Sequence, residues 1–227
     1  MIPFGTLFNV AAVILGSIIG LLFKQIINEQ LNKKVFFVIG LFTLILGFSM
    51  VDDNPDFILI FLSIVIGTMF GEYCGLHNRL TTVIEKFKTK TKIKDDKFVD
   101  ALFTAFLLFC VGSMTIVGAI DEGLGKVPHI LYTKSIMDGI SSIILASTLG
   151  VGVLFSIFPM LLFQSSITLL VYKYNNFIPI ELIDQISCVG GVLIVAIGIK
   201  ILGYKNINPT NMLPALLIIV LLYFLKV

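Results

Sequence analysis

Two ionisable residues near the middle of the chain have the spacing of a helical ion pair. Lys134 and Asp138 are four positions apart, so their side chains share one face of a helix. Long apolar stretches flank them, and in a membrane an isolated charge costs at least about 2.5–3.5 kcal/mol. If their helix begins at Pro128, the pair lies near the membrane midplane and could bind an ion or a solute. If it begins at Ser135, both residues form an ordinary surface pair at the outer interface.

Uncharged hydrogen-bonding side chains are concentrated in the same part of the chain. In lipid such groups need partners, so we expect them to line a polar centre. Some of the hydroxyls could instead bond a carbonyl one turn earlier in their own helix, which would make them structural. The predicted substrate- or ion-binding residues are Asp138, Lys134, Ser113, Thr115, Gln164 and Asn9.

The composition places these residues in a membrane. Hydrophobic residues make up 57% of the 227 positions and charged residues only 13%, against about 25% charged in soluble domains. A soluble domain of this size would have too few polar residues to cover its surface. The composition therefore excludes a soluble enzyme, a nucleic-acid-binding protein and a coiled coil, and it makes the lipid bilayer the first partner.

Charge-free stretches predict an all-α polytopic membrane protein with about eight transmembrane helices. The stretch 139–172 is too long for one span, and Gly150-Val151-Gly152 offers a break. Reading 128–173 instead as one tilted crossing gives seven spans. The eight predicted helices are 4–23, 34–51, 56–75, 98–119, 128–149, 152–173, 186–203 and 210–226.

The loop charges favour eight spans. Basic residues lie between helices one and two, three and four, and seven and eight, whereas acidic residues lie in the loops 52–56, 121–122 and 181–184. Because short basic loops stay on the cytoplasmic side, eight spans put every basic loop inside and both termini outside. Seven spans would put Lys200 and Lys205 outside. The segment 76–97 becomes a basic cytoplasmic loop of a single transmembrane domain, 1–227.

Three local matches suggest an inverted repeat of helices one to three and six to eight. Gly40 and Gly47 match Gly191 and Gly198 at an offset of 151 residues. The segments 5–9 and 152–156 match at 147, and Asn-Pro pairs at 54–55 and 208–209 match at 154. The predicted halves are 1–75 and 152–227, with 98–149 between them. Inverted repeats recur in secondary transporters; chance matches among apolar helices are the alternative.

The remaining motifs bear on assembly and on chemistry. Gly16-x-x-x-Gly20 and Gly67-x-x-x-Gly71 allow close helix packing, either within the bundle or in a homo-oligomer. Three scattered cysteines form no C-x-x-C, and no nucleotide-binding or hydrolase motif is present. We therefore expect no cofactor, no metal, no nucleic acid and no enzymatic activity.

Several of these segments together resemble one bacterial family. They are Gly5–Asn9, Cys110–Ile120, Lys134–Gly139, Leu149–Val153, Gly190-Gly191 and Asn211–Leu216. The resemblance, to the multi-pass membrane family known as domain of unknown function 554, covers almost the whole chain. It implies a protein of the bacterial cytoplasmic membrane, often labelled a transport protein with no assigned substrate. Its motif residues correspond here to Asn9, Ser113, Thr115, Lys134, Asp138, Gln164 and Asn211, without an established role; Ser165 stands where the family pattern leads us to expect glycine.

Two functions fit these observations. The leading hypothesis is a secondary transporter or permease for a small solute or ion, in which Asp138 binds a cation or proton and the uncharged residues bind the solute. The alternative is a membrane scaffold or sensor that works through the basic cytoplasmic loop and through helix–helix oligomerisation. The sequence names neither the solute nor the coupling ion.

Cysteine labelling tests the predicted orientation. In a background without native cysteines, Asp53→Cys and Ile180→Cys should react with an impermeant reagent added outside intact cells, because both positions fall in outer loops. Lys90→Cys should react only after the membrane is permeabilised. Labelling of positions 53 and 180 from the cytoplasmic side would overturn the orientation.

Overall fold

The computed structural model describes residues 2–24, 29–51, 55–90, 95, 97–110, 113–174, 179–204 and 206–225. In these ranges every regular element is a helix, so the all-α prediction is confirmed. A short 3-10 turn, Pro209–Met212, precedes the last helix. The α-helices are α1 Phe4–Lys24, α2 Glu29–Phe48, α3 Phe57–Tyr73, α4 Leu76–Lys90, α5 Phe98–Cys110, α6 Ser113–Gly123, α7 His129–Leu149, α8 Gly152–Phe155, α9 Ile157–Tyr174, α10 Ile180–Ile201 and α11 Ala215–Leu225.

The chain forms two compact units, each assembled from two separate segments. Unit 1 consists of Met1–Val35 and Asp95–Ile178, and unit 2 of Phe36–Lys94 and Pro179–Val227. Unit 1 therefore contains α1 and α5 to α9, whereas unit 2 contains most of α2 together with α3, α4, α10 and α11. Each unit takes helices from both of the predicted repeat halves, which themselves stay a prediction.

Unit 1 is organised around the contact of α1 with α7. The two helices have 21 residues each and pack together along their length, while α6 packs on α9 and α5 on α8. Glycines allow the close approach: a Cβ added at Gly16 would overlap the carbonyl oxygen of Gly139 and the hydroxyl of Ser142. One added at Gly20 would overlap the carbonyl of Ile143. The Gly16-x-x-x-Gly20 motif thus packs within the chain.

Unit 2 has an apolar core between α3, α10 and α11. Its fully buried members include Leu193 and Ile219. The Gly67-x-x-x-Gly71 motif again packs within the chain, because Cβ atoms at Gly67 and Gly71 would overlap the backbone of Ala215 and Asn211. The side chain of Asn211 accepts a hydrogen bond of 2.7 Å from the backbone N–H of His77, in the first turn of α4. Asn211 therefore ties the 3-10 turn to α4.

Within unit 2, α2 and α10 make reciprocal contacts through the glycines that match in sequence. A Cβ at Gly47 would lie 2.7 Å from the Gly191 carbonyl oxygen, and one at Gly198 would lie 3.1 Å from that of Gly40. At the offset of 151, Gly47 corresponds to Gly198 and Gly191 to Gly40, so each of these two contacts is the counterpart of the other. The same holds for the contact of Gly40 with Ile201 and that of Gly191 with Met50.

The number of membrane spans agrees with the prediction only in part. Within the described residues, length and hydropathy qualify three segments: Phe4–Phe23, Gly152–Lys173 and Glu181–Ile201. Counting each of two bent helix pairs as one span raises the number to five. The apolar segments Phe37–Phe48 and Pro209–Leu225 are shorter, and α7, which carries the Lys134 and Asp138 charges, is not among the candidates. Eight spans stay a prediction.

Two of the predicted boundaries differ from the structure because a helix was divided or overlooked. The predicted helix 98–119 is a pair, α5 and α6, bent by 61°. The predicted loop 76–97 is helical from Leu76 to Lys90, at 56° to α3, after a turn at Gly75 with a φ of +59°. Hydropathy alone does not reveal a polar helix such as α4, and glycine tolerates the left-handed conformation of this turn.

The predicted acidic loops also differ from the structure. Helix α10 begins at Ile180, directly after Pro179, so Glu181 and Asp184 lie in its first turns and not in a loop. Proline before a helix and an acidic residue in its first turn are both start signals that outweigh local polarity. Asp121 and Glu122 belong to the last turn of α6. Residues 52–54 of the first acidic loop lie outside the described part.

A pair of glycine variants tests the contact between α1 and α7. Gly16→Ala should destabilise the protein by about 1–3 kcal/mol, because its Cβ overlaps backbone that cannot move independently. Gly139→Ala is the matched control in the same contact, since its Cβ would lie 3.3 Å from the carbonyl oxygen and 3.4 Å from the Cβ of Ala12. Thermal unfolding in detergent measures both. Equal melting temperatures for the two variants would contradict the packing described above.

Candidate functional site

The predicted ion pair is formed on α7 and lies inside unit 1. Lys134 Nζ lies 2.8 Å from each carboxylate oxygen of Asp138. The side chains are 8% and 7% exposed, and their helix begins at His129, six residues before the later start considered above. The pair is therefore buried in the protein and not exposed at its surface, whereas its depth in the membrane stays a prediction. Two charges are buried together in a helix whose neighbours are mostly apolar.

Asn9 completes this cluster from α1. Its Nδ2 donates to Asp138 Oδ2 at 3.1 Å, so the same oxygen is bound by an ammonium and by an amide. The glycine contacts of α1 with α7 bring Asn9 this close. Among the described residues Asn9 Oδ1, which is also buried, has no hydrogen-bond partner. The cluster of Lys134, Asp138 and Asn9 thus keeps one acceptor for another molecule.

The net contribution of a buried ion pair to the stability of the fold is small, so stability alone does not account for this cluster. Desolvation of two charges can exceed their mutual attraction, and apolar residues in their place are often neutral or stabilising. Each partner nevertheless needs the other once both are buried. Removing one member of such a pair is therefore strongly destabilising, although the intact pair contributes little net stability.

Helix α5 also packs on α7, the helix that carries the ion pair. Cys110, the last residue of α5, is fully buried. Thr115 of α6 donates its hydroxyl to the carbonyl of Phe109 at 2.8 Å, and so satisfies a carbonyl that the end of α5 leaves free. Thr115 therefore has a structural bond across the bend. Ser113, the first residue of α6, has its side chain outside the described part.

Gln164 lies on α9, which packs against α1. It is completely buried, yet neither its Nε2 nor its Oε1 has a hydrogen-bond partner within the described residues. The buried hydroxyl of Ser17 on α1 is likewise without one. An unsatisfied buried polar group costs about 1–3 kcal/mol. Two helices of unit 1, α1 and α9, therefore carry polar atoms that another molecule could satisfy.

One buried carboxylate in unit 1 was missed by the sequence analysis. Glu122, assigned above to an outer acidic loop, is 2% exposed at the end of α6. Its Oε1 accepts the backbone N–H of Gly5 at 2.5 Å, and its Oε2 lies near the hydroxyls of Thr6 and Thr168. The only signal was its helical spacing from two buried residues, Thr115 and Ala119.

A sequence model of the family described as "Protein of unknown function (DUF554)" matches residues 4–224. The chain belongs to the DUF554 family. The "Uncharacterized membrane protein YdfK" of Bacillus subtilis (strain 168) is 36% identical over 219 residues, covering 95% of this chain and 93% of that protein. The "Uncharacterized protein YqgA" of Escherichia coli (strain K12) is 29% identical over 219 residues, covering 94% and 93%. No solved structure matches.

Membership of DUF554 confirms the resemblance and, with the apolar helices, shows a helical membrane protein. Of the six predicted site residues, Asp138, Lys134 and Asn9 are in direct contact. Thr115 and Gln164 are buried in the same unit, the first with a backbone partner and the second without one. The role of each in binding stays a prediction.

A double-mutant cycle tests the buried pair. Lys134→Met and Asp138→Leu should each destabilise the protein by about 3–5 kcal/mol, because each leaves one charge buried without its partner. The double variant should recover most of this loss. The matched control is Lys126→Ala, which breaks the pair with Asp121 whose side chains are 61% and 24% exposed, and should cost less than about 1 kcal/mol. Unfolding in detergent measures all four; single variants as stable as Lys126→Ala would contradict the cluster.

Proposed function

We propose that this DUF554 protein is a secondary transporter or permease of the bacterial cytoplasmic membrane, which moves a small polar solute or an ion. The observation that carries the proposal is the buried cluster of Lys134, Asp138 and Asn9 in a membrane protein. Charges inside a membrane protein are expensive and mark pathways for ions or substrates. The proposed activity is transport without covalent chemistry and without a cofactor.

Buried hydrogen-bonding capacity left over on α1 and α9 of the same unit supports binding. Asn9 Oδ1, Ser17 Oγ and both amide atoms of Gln164 are buried without a partner among the described residues. They offer acceptors, one amide donor and one hydroxyl, a combination suited to a small polar solute. A solute that bonds them would recover free energy that the isolated protein lacks.

The ion pair itself suggests how binding would be reversible. A cation that approaches Asp138 competes with the Lys134 ammonium, and an anionic group competes with Asp138 for Lys134. In either case the pair opens, and its attraction is exchanged for that of the solute. Because one interaction replaces another, the site can bind and release without a large net change in free energy.

The proposal includes the inverted repeat, since such repeats provide alternating access in many transporters. Within unit 1, Gly5 packs on Pro128, just before α7, and on Leu131 in α7. Its match Gly152 packs on the residues thirty positions before these, 98 and 101, in α5. Phe8 of α1 and its match Phe155 each make an edge-to-face contact, with Tyr132 on α7 and Phe98 on α5.

The burial of α1 and of the segment from α8 to α9 follows the same correspondence. At the offset of 147 residues, three pairs of fully buried positions match: Asn9 with Ser156, Val13 with Met160, and Ser17 with Gln164. Together with the reciprocal glycines of α2 and α10 in unit 2, these matches support a pseudo-two-fold relation inside each unit. Eight spans with both termini outside complete the proposed topology.

A scaffold or sensor is the second candidate, and α4 is the observation that favours it. This helix carries basic residues and the exposed side chain of Val83, as expected for a helix at an anionic membrane surface. Homo-oligomer formation would belong to this candidate. Deleting 84–94 separates the two functions, because a scaffold would lose its activity whereas the transporter would keep its flux.

Uptake into proteoliposomes tests the proposed transport. A thermal-stabilisation screen first selects a solute, since a ligand at 100 times its Kd adds about 2.7 kcal/mol to stability. Asp138→Asn and Lys134→Ala should then each lower the uptake of that solute by at least about tenfold, through loss of roughly 1.4 kcal/mol of binding. Asp121→Asn, in the exposed pair, is the control and should keep uptake. Unchanged uptake in both cluster variants would exclude this site.

A further inference from the structure

The surroundings of Glu122 form a second polar cluster in unit 1, separate from the ion pair. Four oxygens meet there from three helices: Glu122 Oε2 and the Ala119 carbonyl on α6, the Thr168 hydroxyl on α9, and the Thr6 hydroxyl on α1. Both threonine side chains are completely buried, and Glu122 is 2% exposed. We call these four residues the Glu122 cluster.

The spacing of these oxygens is too wide for good hydrogen bonds. Thr6 Oγ1 lies 3.5 Å and Thr168 Oγ1 lies 3.4 Å from Glu122 Oε2, and Thr168 Oγ1 lies 3.2 Å from the Ala119 oxygen. Hydroxyl hydrogen bonds usually measure about 2.5–3.0 Å. Oxygens that share one cation at about 2.3–2.6 Å lie roughly 3.3–3.7 Å apart at octahedral angles. The two separations from Glu122 Oε2, 3.5 and 3.4 Å, agree with the second geometry, and the separation of 3.2 Å lies just below it.

The charge of the cluster also calls for a cation. Glu122 makes no ion pair with any Lys, Arg or His that the structure describes, although its side chain is buried. Its other oxygen, Oε1, accepts the Gly5 N–H at the N-terminus of α1, where the helix dipole favours negative charge. These neutral donors stabilise the carboxylate without cancelling its net charge, which a bound cation would balance.

The size and the charge together select the ion. One carboxylate and three neutral oxygens balance a single positive charge, so a divalent ion would leave one unit of buried charge. The smaller Mg²⁺ needs ligands at about 2.0–2.1 Å, which brings them to roughly 2.9 Å from one another. Sodium has nearly the radius of calcium and half its charge. Hydroxyl, carbonyl and carboxylate oxygens are the hard ligands that such an ion prefers.

We infer that the Glu122 cluster binds Na⁺. This inference deepens the proposed transport function and rests on it, because α1 connects the two sites: Thr6 and Asn9 are three residues apart on one helical face. Thr6 reaches Glu122, while Asn9 reaches Asp138. Sodium held by Thr6 fixes the first turn of α1 and hence the position of Asn9 in the ion-pair cluster. The ion would in this way favour one state of the solute site.

Sodium titration of the purified protein in detergent tests the inference. The melting temperature is followed as NaCl replaces choline chloride at constant ionic strength, with KCl as the comparison. The wild-type melting temperature should rise with Na⁺ to saturation and should respond less to K⁺. Glu122→Gln should abolish the rise, and Thr168→Val should raise the half-saturating Na⁺ concentration by about tenfold.

Two further variants keep the test decisive if Glu122→Gln does not fold. Thr6→Val removes a hydroxyl and should weaken the response to Na⁺, whereas Thr6→Ser keeps the hydroxyl and should restore it. Thr68→Val is the matched control, because that hydroxyl bonds the Ile64 carbonyl within its own helix. A melting temperature equal in Na⁺, K⁺ and choline would overturn the inference. So would a response to pH alone, which would indicate a proton, or a Na⁺ response that survives in Glu122→Gln.

The outcome is distinguishable from a failure of the proposed transport. The titration uses neither a gradient nor a solute, so a missing Na⁺ response leaves the ion-pair cluster and its uptake assay untouched. Conversely, a Na⁺ response that depends on Glu122, found together with normal uptake in Asp138→Asn, would keep the sodium site and exclude the proposed solute site.

Discussion

The close contact of α1 with α7 is the interaction on which the polar interior depends. Neither buried carboxylate is compensated by its own helix alone. Asp138 shares a helix with Lys134 but takes its third hydrogen bond from Asn9 of α1, and Glu122 takes its backbone donor from Gly5 of the same helix. These bonds require α1 to lie against its neighbours at nearly backbone distance. Glycine at positions 16 and 20 provides that distance, since any side chain there would meet a carbonyl of α7.

This dependence makes α1 the element through which the two carboxylates affect each other. Gly5, Thr6 and Asn9 occupy consecutive turns of one rigid helix, and a rigid helix transmits a shift at one end to the other. If an ion orders the first turn, the ordering is felt at Asn9 without any direct contact between the two clusters. Reciprocity then requires that a solute held by Asn9 also change the affinity at Glu122.

The sequence predicted local relations well and long-range ones poorly. The bounds of α1 and α7 follow from apolar stretches that end at charges or at Pro128, and the Lys134–Asp138 pair follows from helical periodicity. The contact of Asn9 with Asp138 joins residues 129 positions apart, and no local pattern encodes it. Polarity led to wrong loop predictions at Glu122 and in α4. Glu122 is charged and was placed in a loop, but tertiary contacts bury it. The segment of α4 is polar and was also predicted as a loop, but it forms a helix.

The proposed inverted repeat relates α1 and α7 to the segment α8–α9 and α5, and it implies a chemical asymmetry that bears on function. At the spacing of thirty residues that relates the packing of Gly5 to that of Gly152, Lys134 and Asp138 correspond to Thr104 and Leu108 on α5. Of the small residues in these contacts, Gly5 has a glycine counterpart in Gly152, whereas Gly16 and Gly20 correspond to Phe163 and Ile167. The backbone contact that brings Asn9 to the ion pair is therefore as one-sided as the ion pair itself. Close packing of helices at positions 16 and 20 occurs where a buried ion pair has to be compensated, and bulky side chains occupy the counterpart positions where it does not.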